Sequence, residues 1–362
     1  MLISQIAAPD MNLDCSEIGA VVEDTFKSLH LAGKRVLVII PDGTRSMPMP
    51  LMFDLFEKHL SGKVQALDYL VALGTHQPMT DEQLSAHIGR QVTDGKAGRS
   101  RISNHLWQNA DTFERIGIIS AEEISLLTDG RMREDVPVRL NKLIHQYDRL
   151  IICGPVFPHE VVGFSGGNKY FFPGIAGDEI INFTHWLGAL ITSSEIIGAG
   201  YTPVRAVIDR AASFIDKPVL CISLVVNHAG VAGLFSGSAE ESWQAAASFS
   251  ARRHIIYVDK PYKKVISVMP QLYDDLWTAA KGMYKMEPVI ADGGEVVIYA
   301  PHINEVSYTH GGLIDQIGYH CRDFFVKQWE QYKKYPHGVL AHSTHLNGQG
   351  TYDPATDIEE HR

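Results

Sequence analysis

A glycine-rich segment directly after an apolar run constrains the fold of this chain more than any other feature. The run LIIC, Leu150 to Cys153, has charged residues before it and a Gly-Pro pair after it, which is typical of a short buried strand that ends in a turn. The sequence FPHEVVGFSGGNKYFFPGIAGDEIINFTH then runs from Phe157 to His185. Open α/β sheets bind ligands at the carboxyl ends of their strands, so this segment predicts a binding loop at that edge.

The loop contains residue types that suit anions and reactive amines. Glycines such as Gly166 and Gly167 let the backbone turn sharply and approach a ligand closely, and consecutive backbone N–H groups in such loops bind anions. Lys169 lies beside aromatic residues, where desolvation can remove the charge of an amine and make it nucleophilic. A surface lysine after a flexible turn is the alternative, and this stretch alone slightly favours it.

Length and residue patterning predict the fold class. The chain has 362 residues, of which 45% are hydrophobic and 20% charged, typical of a soluble globular protein with more than one core. Strand and helix patterns alternate, which predicts an α/β protein with two α/β domains and mainly parallel sheets. The N-terminal catalytic and cofactor-binding domain is predicted over residues 1–260, and a smaller C-terminal domain over residues 261–362.

Charge and cysteine content argue against several kinds of partner. The net charge of −10, without basic runs, argues against a nucleic-acid partner. No apolar run reaches the length of a membrane span, and the N-terminus lacks the pattern of a signal peptide. The four cysteines are scattered without a CxxC pair, which argues against a zinc ribbon or disulfide framework and indicates a reducing cytoplasm.

A second apolar run leads into a polar loop of the same kind. RVLVII, Arg35 to Ile40, is followed by PDGTRSMPMP and then by a helical pattern. Thr44 can donate to a phosphate at the helix N-terminus, and Arg45 can hold a carboxylate through two hydrogen bonds. A capping turn in which Arg45 pairs with Asp42 is the alternative, and the two interpretations stay equal.

A third run, VQALDYLVAL, ends in GTHQPMTDEQL. Gly74 makes the turn, His76 lies in the loop, and Thr80 with Gln83 forms a capping box that begins a helix. Loops after strands often carry catalytic groups. His76 and Arg45 occupy equivalent strand ends, which favours a shared site.

The remaining patterns are weaker. The segment Gly230 to Gly237 is glycine-spaced, and HSTH, His342 to His345, is predicted as a polar turn, with a metal-ligating pair as the alternative. Short strands are predicted over His254–Val258, Val265–Met269, Glu295–Ala300 and Val339–Ala341.

Three common site motifs fit poorly. His159-Glu160 begins HExxH, but Gly163 stands where the second histidine belongs. GFSGGNK does not match the GxGxxG of dinucleotide sites. Gly163 to Gly167 does match the nucleophile elbow GxSxG, which requires a helix directly afterwards, whereas Lys169 to Pro173 is aromatic and ends in Pro-Gly. A serine hydrolase therefore ranks third among the interpretations.

Four segments, in this order, resemble the lactate racemase family of nickel-dependent 2-hydroxyacid racemases and epimerases. PDGTRSMPMP is similar to its Asp-x-Thr-Arg-x-x-Pro loop, ALGTHQPMTDEQ to its Gly-x-His-x-Pro-Met-Thr segment, and GFSGGNKYFFPGIAG to its Gly-Gly-Arg-Lys and Pro-Gly-Ile signature. LWTAAKGMYKMEPVI resembles a C-terminal Ala-x-Lys-Gly motif. The resemblance spans roughly Arg35 to Met286, and chance does not give such an order.

The resemblance implies a nickel-pincer nucleotide as cofactor, a pyridinium-3-thioamide-5-thiocarboxylate mononucleotide that carries nickel. It implies that Lys169 holds the cofactor through the thioamide and that His185 is the metal ligand, the fourth in a square-planar site typical of Ni(II). Trp329 is expected in the core. The residues expected to bind or orient the cofactor are Asp42, Thr44, Ser165, Gly166, Gly167 and Trp277.

The resemblance also implies an isomerase. His76 and His159 would be the acid–base pair on opposite faces of a small 2-hydroxyacid, and Arg45 and Lys281 would hold its carboxylate and hydroxyl region. Removal of the hydroxyl proton eases hydride transfer to the cofactor, and return of the hydride to the other face inverts C2. The expected partners are the substrate and the proteins that build the cofactor, with a homo-oligomer left open. The loops are expected to meet in a cleft between the two domains.

Departures from the family pattern put lactate itself in question. Asn168 replaces an arginine that often precedes the lysine, and Thr278 stands where the lactate enzymes have an amide side chain. A more polar, larger acid such as a sugar acid is a further candidate. A protein that binds phosphorylated ligands through the same loops, without nickel chemistry, is the alternative function.

Overall fold

The computed structural model describes residues 1–361 and shows an α/β protein. Its strands are β1 Leu2–Ala7, β2 Arg35–Pro41, β3 Ala66–Ala72, β4 Lys96–Ala97, β5 Ser100–Asn104, β6 Phe113–Ile119, β7 Val136–Asn141, β8 Arg149–Pro155, β9 Pro158–His159, β10 Gly163–Phe164, β11 Val219–Asn227, β12 Gly230–Gly237, β13 Tyr262–Val268, β14 Ile290–Tyr299, β15 Gly350–Asp353 and β16 Ile358–His361.

The helices lie between these strands and cover the sheet. They are α1 Cys15–Lys27, α2 Met49–Leu60, α3 Asp81–Ile88, α4 Ala121–Leu127, α5 Asp178–Ile191, α6 Ser193–Ile196, α7 Pro203–Ala212, α8 Ala239–His254, α9 Leu276–Ala279, α10 Lys281–Tyr284, α11 Gly311–Ile317, α12 Arg322–Lys327, α13 Trp329–Tyr332 and α14 His337–Asn347.

The central sheet is mixed and mostly parallel. Its strand order is β1-β12-β11-β8-β2-β3-β5-β4. The inner strands β11, β8, β2, β3 and β5 pair in parallel, and antiparallel strands close both edges. Parallel strands buried on both faces have continuous apolar sequences, which explains RVLVII and LIIC. The α/β fold with a largely parallel sheet is therefore confirmed.

Strand β2 shows how the two faces of the sheet are filled. Val36, Val38 and Ile40 point into one apolar cluster with helices α1, α2 and α3, whereas Leu37 and Ile39 point into another with α4, α5 and α7. Side chains alternate between the faces of a strand, so five consecutive apolar residues serve both layers. Full burial of each such side chain contributes about 1.5–3 kcal/mol to stability.

The residues after Tyr262 build smaller units. Strands β13 and β14 pair in parallel, β15 and β16 pair antiparallel, and an aromatic cluster packs the helices between them. Trp186 of α5 joins this cluster by stacking on Trp329 at 5.3 Å between ring centroids, so the expectation that Trp329 lies in the core is confirmed. The domain boundary after residue 260 stays a prediction.

Four secondary-structure details differ from expectation. The predicted strand at His254–Val258 is wrong, because α8 continues to His254 and no strand follows. The predicted strand at Val339–Ala341 is also wrong, because these residues lie inside α14. Short apolar runs do not distinguish helix from strand. The Gly230–Gly237 segment is strand β12, and the N-terminal strand β1 was not predicted. Among residues 1–361, we find no helix with the length and apolar character needed to cross a membrane.

Candidate active site

One cavity brings together the strand-end loops and the helices near the C-terminus. It encloses about 1100 Å³, including space that opens to solvent. Thr44 and Gly167 are not on its lining, although their neighbours are. The predicted site residues that do line it are Asp42, Arg45, His76, His159, Ser165, Gly166, Lys169, His185, Trp277 and Lys281.

Asp42 lies directly after β2 and contacts His76, which follows β3. Its Oδ1 accepts hydrogen bonds from the Thr44 backbone N–H at 3.0 Å and from the Thr44 hydroxyl at 2.5 Å. Its Oδ2 lies 2.5 Å from Nδ1 of His76. Because the parallel register pairs Pro41 with Ala72, the two strands end side by side and bring these loops together.

The Asp42 carboxylate sets the state of the His76 ring. Burial by itself would raise the pKa of Asp42, but the adjacent His76, Arg45 and Thr44 override it and hold the pKa well below its usual range. An ionised carboxylate accepts a proton donor at Nδ1, so Nε2 of His76 carries the lone pair. His76 is therefore arranged as a base. Asp42 was expected to help bind the cofactor, and this geometry shows a contact with His76 that sequence reasoning did not foresee.

The loop after β8 is held by its own hydrogen bonds. The Ser165 hydroxyl donates to the Pro155 carbonyl at 2.9 Å and accepts from the Phe157 N–H at 3.0 Å. The next residue, Gly166, has φ of 83°, and a Cβ there would lie 2.5 Å from Val156 Cγ2, so only glycine fits. A short 3₁₀ turn, Gly167 to Tyr170, follows instead of a helix. The Ser165 hydroxyl thus serves the loop, which argues against a serine hydrolase.

Lys169 is an amine without a protein partner at the cavity wall. Among residues 1–361, its side chain makes no hydrogen bond and no ion pair. Burial, reinforced by the positive charge of Arg45, lowers its pKa to about 7. A large fraction of the amine is therefore neutral and nucleophilic near neutral pH. Of the two interpretations of this lysine, the structure agrees with desolvation at a cavity wall rather than with a surface lysine, which the stretch alone slightly favoured.

His159 is buried and differs from His76 in its hydrogen bond. Its Nδ1 accepts from the Val161 backbone N–H at 3.1 Å, and burial lowers its pKa well below 6.5. The neutral ring therefore carries its proton on Nε2. In their neutral forms, His76 and His159 thus differ in which ring nitrogen carries the proton.

Glu160 links His159 to the lysine of α10. Its Oε1 accepts from the Tyr284 hydroxyl at 3.1 Å and lies 3.9 Å from Nζ of Lys281, while Oε2 lies 3.6 Å from Nδ1 of His159. Burial alone would raise the pKa of Glu160, but the charges around it, including Lys281, hold it well below its usual range. The buried carboxylate therefore stays ionised and favours the protonated form of Lys281.

His185 keeps one ring nitrogen free at the cavity. It lies on α5, and its Nδ1 is 2.7 Å from the Ile181 carbonyl, which must accept the Nδ1 proton. Burial lowers its pKa to about 4, so the ring is neutral at pH 7. This is the usual arrangement of a ligating histidine, with one nitrogen fixed by a carbonyl and the other free for metal.

The lining residues that were not predicted as site residues include Glu160, Tyr284, His342 and His345. His342 and His345 were predicted to lie in a polar turn, and this is wrong, because both are buried on α14. Trp277 stacks on His342 at 4.2 Å between ring centroids. Helical spacing of the two histidines was the available signal. For Glu160 the sequence held no signal beyond its place beside His159.

The fold and cavity define an α/β protein in which a lysine amine without a protein partner and five histidines line one site. The lactate racemase N-terminal domain model matches residues 18–198, half of the chain. The chain belongs to the lactate racemase family.

Two relatives named lactate racemase show how far the similarity extends. The protein from Thermoanaerobacterium thermosaccharolyticum is 25% identical over 293 residues, 77% of this chain and 62% of the relative. The protein from Lactiplantibacillus plantarum is 23% identical over 282 residues, 76% of this chain and 62% of the relative. The matches thus span about 62% of the length of these curated relatives.

Two solved structures resemble the fold. A crystal structure of a Thermotoga maritima protein matches with a TM-score of 0.90 and 28% identity, covering 98% of this chain and 87% of that one. The lactate racemase apoprotein of T. thermosaccharolyticum matches with a TM-score of 0.71 and 20% identity, covering 95% and 79%. The second likeness shows a common fold alone.

Proposed function

We propose that this protein is a racemase or C2 epimerase of a 2-hydroxyacid that uses a nickel-pincer nucleotide. The observation that carries the proposal is the convergence of His76, His159, Lys169 and His185 on one cavity. The loop after β3 supplies His76, and the segment after β8 supplies the other three. Family membership supports the same class of reaction.

The residues present fit the cofactor. Lys169 offers an unpartnered amine for a covalent link, and His185 offers a free imidazole nitrogen. Within residues 1–361, no group of three His, Cys, Asp or Glu side chains can hold a metal ion by itself. A nickel ion held by His185 would take its remaining donor atoms from the cofactor.

When bound, the cofactor supplies a hydride acceptor next to C2 of the substrate. In one direction, His76 takes the hydroxyl proton at Nε2, and Asp42 stabilises the imidazolium that forms. His159 carries a proton on Nε2 and donates it to the oxygen when the opposite face is reduced. The reverse reaction exchanges these roles, so a pair with opposite proton occupancy serves both directions.

Two cations are available to hold the substrate carboxylate. Arg45 donates from Nη1 to the Thr44 hydroxyl at 2.7 Å, which fixes its guanidinium at the cavity wall. Lys281 lies across from it, beside the ionised Glu160. Fixing the carboxylate while the planar keto group reorients lowers the entropic cost of inversion. Glu160 acts here as a positioning residue for Lys281.

Metal analysis with intact-mass measurement tests the proposal. Protein produced together with the proteins that build the cofactor is expected to carry nickel and an added mass. Lys169→Ala should abolish the added mass, because the other lysine on the cavity lining, Lys281, is held beside the ionised Glu160. Lys264→Ala, at an exposed lysine paired with Glu295, is the matched control and should keep both. The phosphorylated-ligand binder of the alternative interpretation would show neither nickel nor added mass.

Turnover is tested with a panel of 2-hydroxyacids. Stereoinversion is expected without entry of solvent deuterium at C2, because the hydrogen leaves and returns as hydride. Deuterium incorporation at C2 during turnover would show proton abstraction at carbon and would contradict the proposed mechanism.

A further inference from the structure

Helix α14 presents two histidines to the cavity. His342 and His345 are three residues apart, so they lie on the same face of the helix, and both line the cavity. Their burial is high, with 7% exposure each. The proposed reaction assigns neither of them a role.

The two rings differ in their contacts. His342 stacks on Trp277, and its Nε2 lies 3.4 Å from the Tyr319 hydroxyl. His345 has no hydrogen bond on either ring nitrogen to any residue in the range 1–361, and its Nε2 is fully buried. Its ring meets only the edge of Tyr284, at 5.7 Å between centroids. Buried polar atoms are almost always paired, so an unpaired imidazole at a cavity wall indicates a partner that binds there.

We infer that His345 hydrogen-bonds a hydroxyl group of the substrate beyond C2, so that the substrate is a polyhydroxylated 2-hydroxyacid. This inference rests on the proposed function and names its substrate class. It distinguishes sugar acids from short acids with an apolar tail and from dicarboxylic acids.

The chemistry of the ring selects a hydroxyl. A neutral imidazole has one donor and one acceptor. A hydroxyl group can accept a hydrogen bond from the first or donate one to the second. Burial keeps the His345 ring neutral, and the ionised Glu160, which lines the same cavity and acts electrostatically on this ring, repels a second carboxylate there. An alkyl or phenyl tail would leave the ring unpaired in the complex, which weakens binding.

The Thr278 hydroxyl is not available to bind the substrate tail, because it already donates hydrogen bonds within the protein. Thr278 stands where the lactate enzymes have an amide side chain, and its hydroxyl donates to the Asp275 carbonyl at 3.0 Å and carboxylate at 2.9 Å. Asp275 caps α9, and Thr278 is held by this cap and does not line the cavity. We therefore assign the polar contact with the substrate tail to His345 on α14.

The test compares matched acids on cofactor-loaded protein. Pairs of equal chain length are 2-hydroxybutanoate with 2,4-dihydroxybutanoate and 2-hydroxyhexanoate with a hexonate, and malate is the dicarboxylate. We expect kcat/KM for stereoinversion to favour the hydroxylated member of a pair by at least about 100-fold, since sites built to bind a hydroxyl discriminate by up to about 10⁴–10⁵-fold.

Variants assign this preference to His345. His345→Phe should reduce it to less than about tenfold, and His345→Gln, which keeps a donor and an acceptor, should restore part of it. Nickel content and the added mass on Lys169 should stay unchanged in both. His337→Phe is the control on the same helix, because His337 packs against Trp186 and Trp329 and does not line the cavity. It should leave the preference intact.

The outcomes separate the two levels of the proposal. Equal rates within each pair, a preference for malate, or an equal loss for both members in His345→Phe would overturn the inference and leave the racemase proposal standing. Loss of nickel or added mass in His345→Phe would mean that the ring holds the cofactor, which also overturns it. Failure of loaded protein to invert any acid would overturn the proposed function together with the inference.

Discussion

Asp42→Asn is the most informative substitution at the proposed base. Asparagine keeps the shape of the side chain and an oxygen that can accept from the Thr44 N–H, so the loop is expected to hold. What it removes is the negative charge 2.5 Å from Nδ1 of His76. Only 7% of the Asp42 side chain is exposed, so solvent screens this contact little.

The magnitude follows from the type of bond that is lost. A hydrogen bond to a charged group contributes about 1.5–3 kcal/mol, and a tenfold change in rate corresponds to about 1.4 kcal/mol. Loss of the charge should therefore lower kcat about 10- to 150-fold. If the asparagine amide donates to Nδ1, the ring changes tautomer, and the loss should approach the roughly 10⁴-fold seen for the equivalent change in a serine-protease triad.

The assay is steady-state stereoinversion with loaded protein, beside nickel content, added mass and thermal unfolding. Glu114→Gln is the matched control, because it removes an exposed histidine–carboxylate pair, His145 Nε2 to Glu114 Oε2 at 3.3 Å, away from the cavity. That variant should stay within about twofold of the unmodified protein, as expected for an exposed ion pair. A kcat for Asp42→Asn within twofold, at equal cofactor content, would refute the assignment of His76 as a base held by Asp42.

Three further predictions concern other buried groups. His185→Ala should keep the added mass on Lys169 while nickel is lost on metal analysis; retained nickel would exclude His185 as the ligand. Burial lowers the pKa of Lys281, and the ionised Glu160 opposes that lowering. Glu160→Gln should therefore move the alkaline limb of the kcat/KM–pH profile to lower pH; an unmoved limb would show that Glu160 does not act through Lys281. Burial lowers the pKa of His105 to about 4, so the unfolded chain takes up the extra proton between pH 6.5 and 4. The free energy of unfolding should therefore fall by about 3 kcal/mol between pH 6.5 and pH 4 because of His105. Urea unfolding of His105→Gln should show a weaker dependence of this free energy on pH. A dependence equal to that of the unmodified protein would contradict the prediction.

Strand-end loops were predictable because their signals are local. RVLVII and LIIC are continuous apolar runs, which are typical of strands buried on both faces, and each is followed by a turn signal. That placed Arg45, Lys169 and their neighbours at one edge of a sheet before any contact was known.

Pairings between loops could not be read in the same way. The contact of Asp42 with His76 joins residues 34 positions apart and depends on the register of β2 against β3. The ion pair of Glu160 with Lys281 joins the loop after β9 to helix α10, across more than a hundred residues. Such contacts depend on how the elements pack.

The structure around the histidines of α14 also could not be predicted from the local sequence. VLAHSTH reads as a short apolar run and a polar turn, yet it forms one helix whose buried face carries His342 and His345. A polar sequence can be helical and buried when neighbouring elements cover it, and tertiary context overrides local preference there.

The sequence by itself determined the α/β class, the strand ends and the residue types available at them, because buried strands and glycine turns have local signatures. Only the tertiary structure decided protonation and pairing: which nitrogen of His76 and of His159 carries the proton, that Lys169 lacks a partner, and that His345 faces the cavity. The reason is physical, since desolvation and hydrogen bonds depend on groups that approach through space, and these determine whether an amine or imidazole acts as acid, base or ligand.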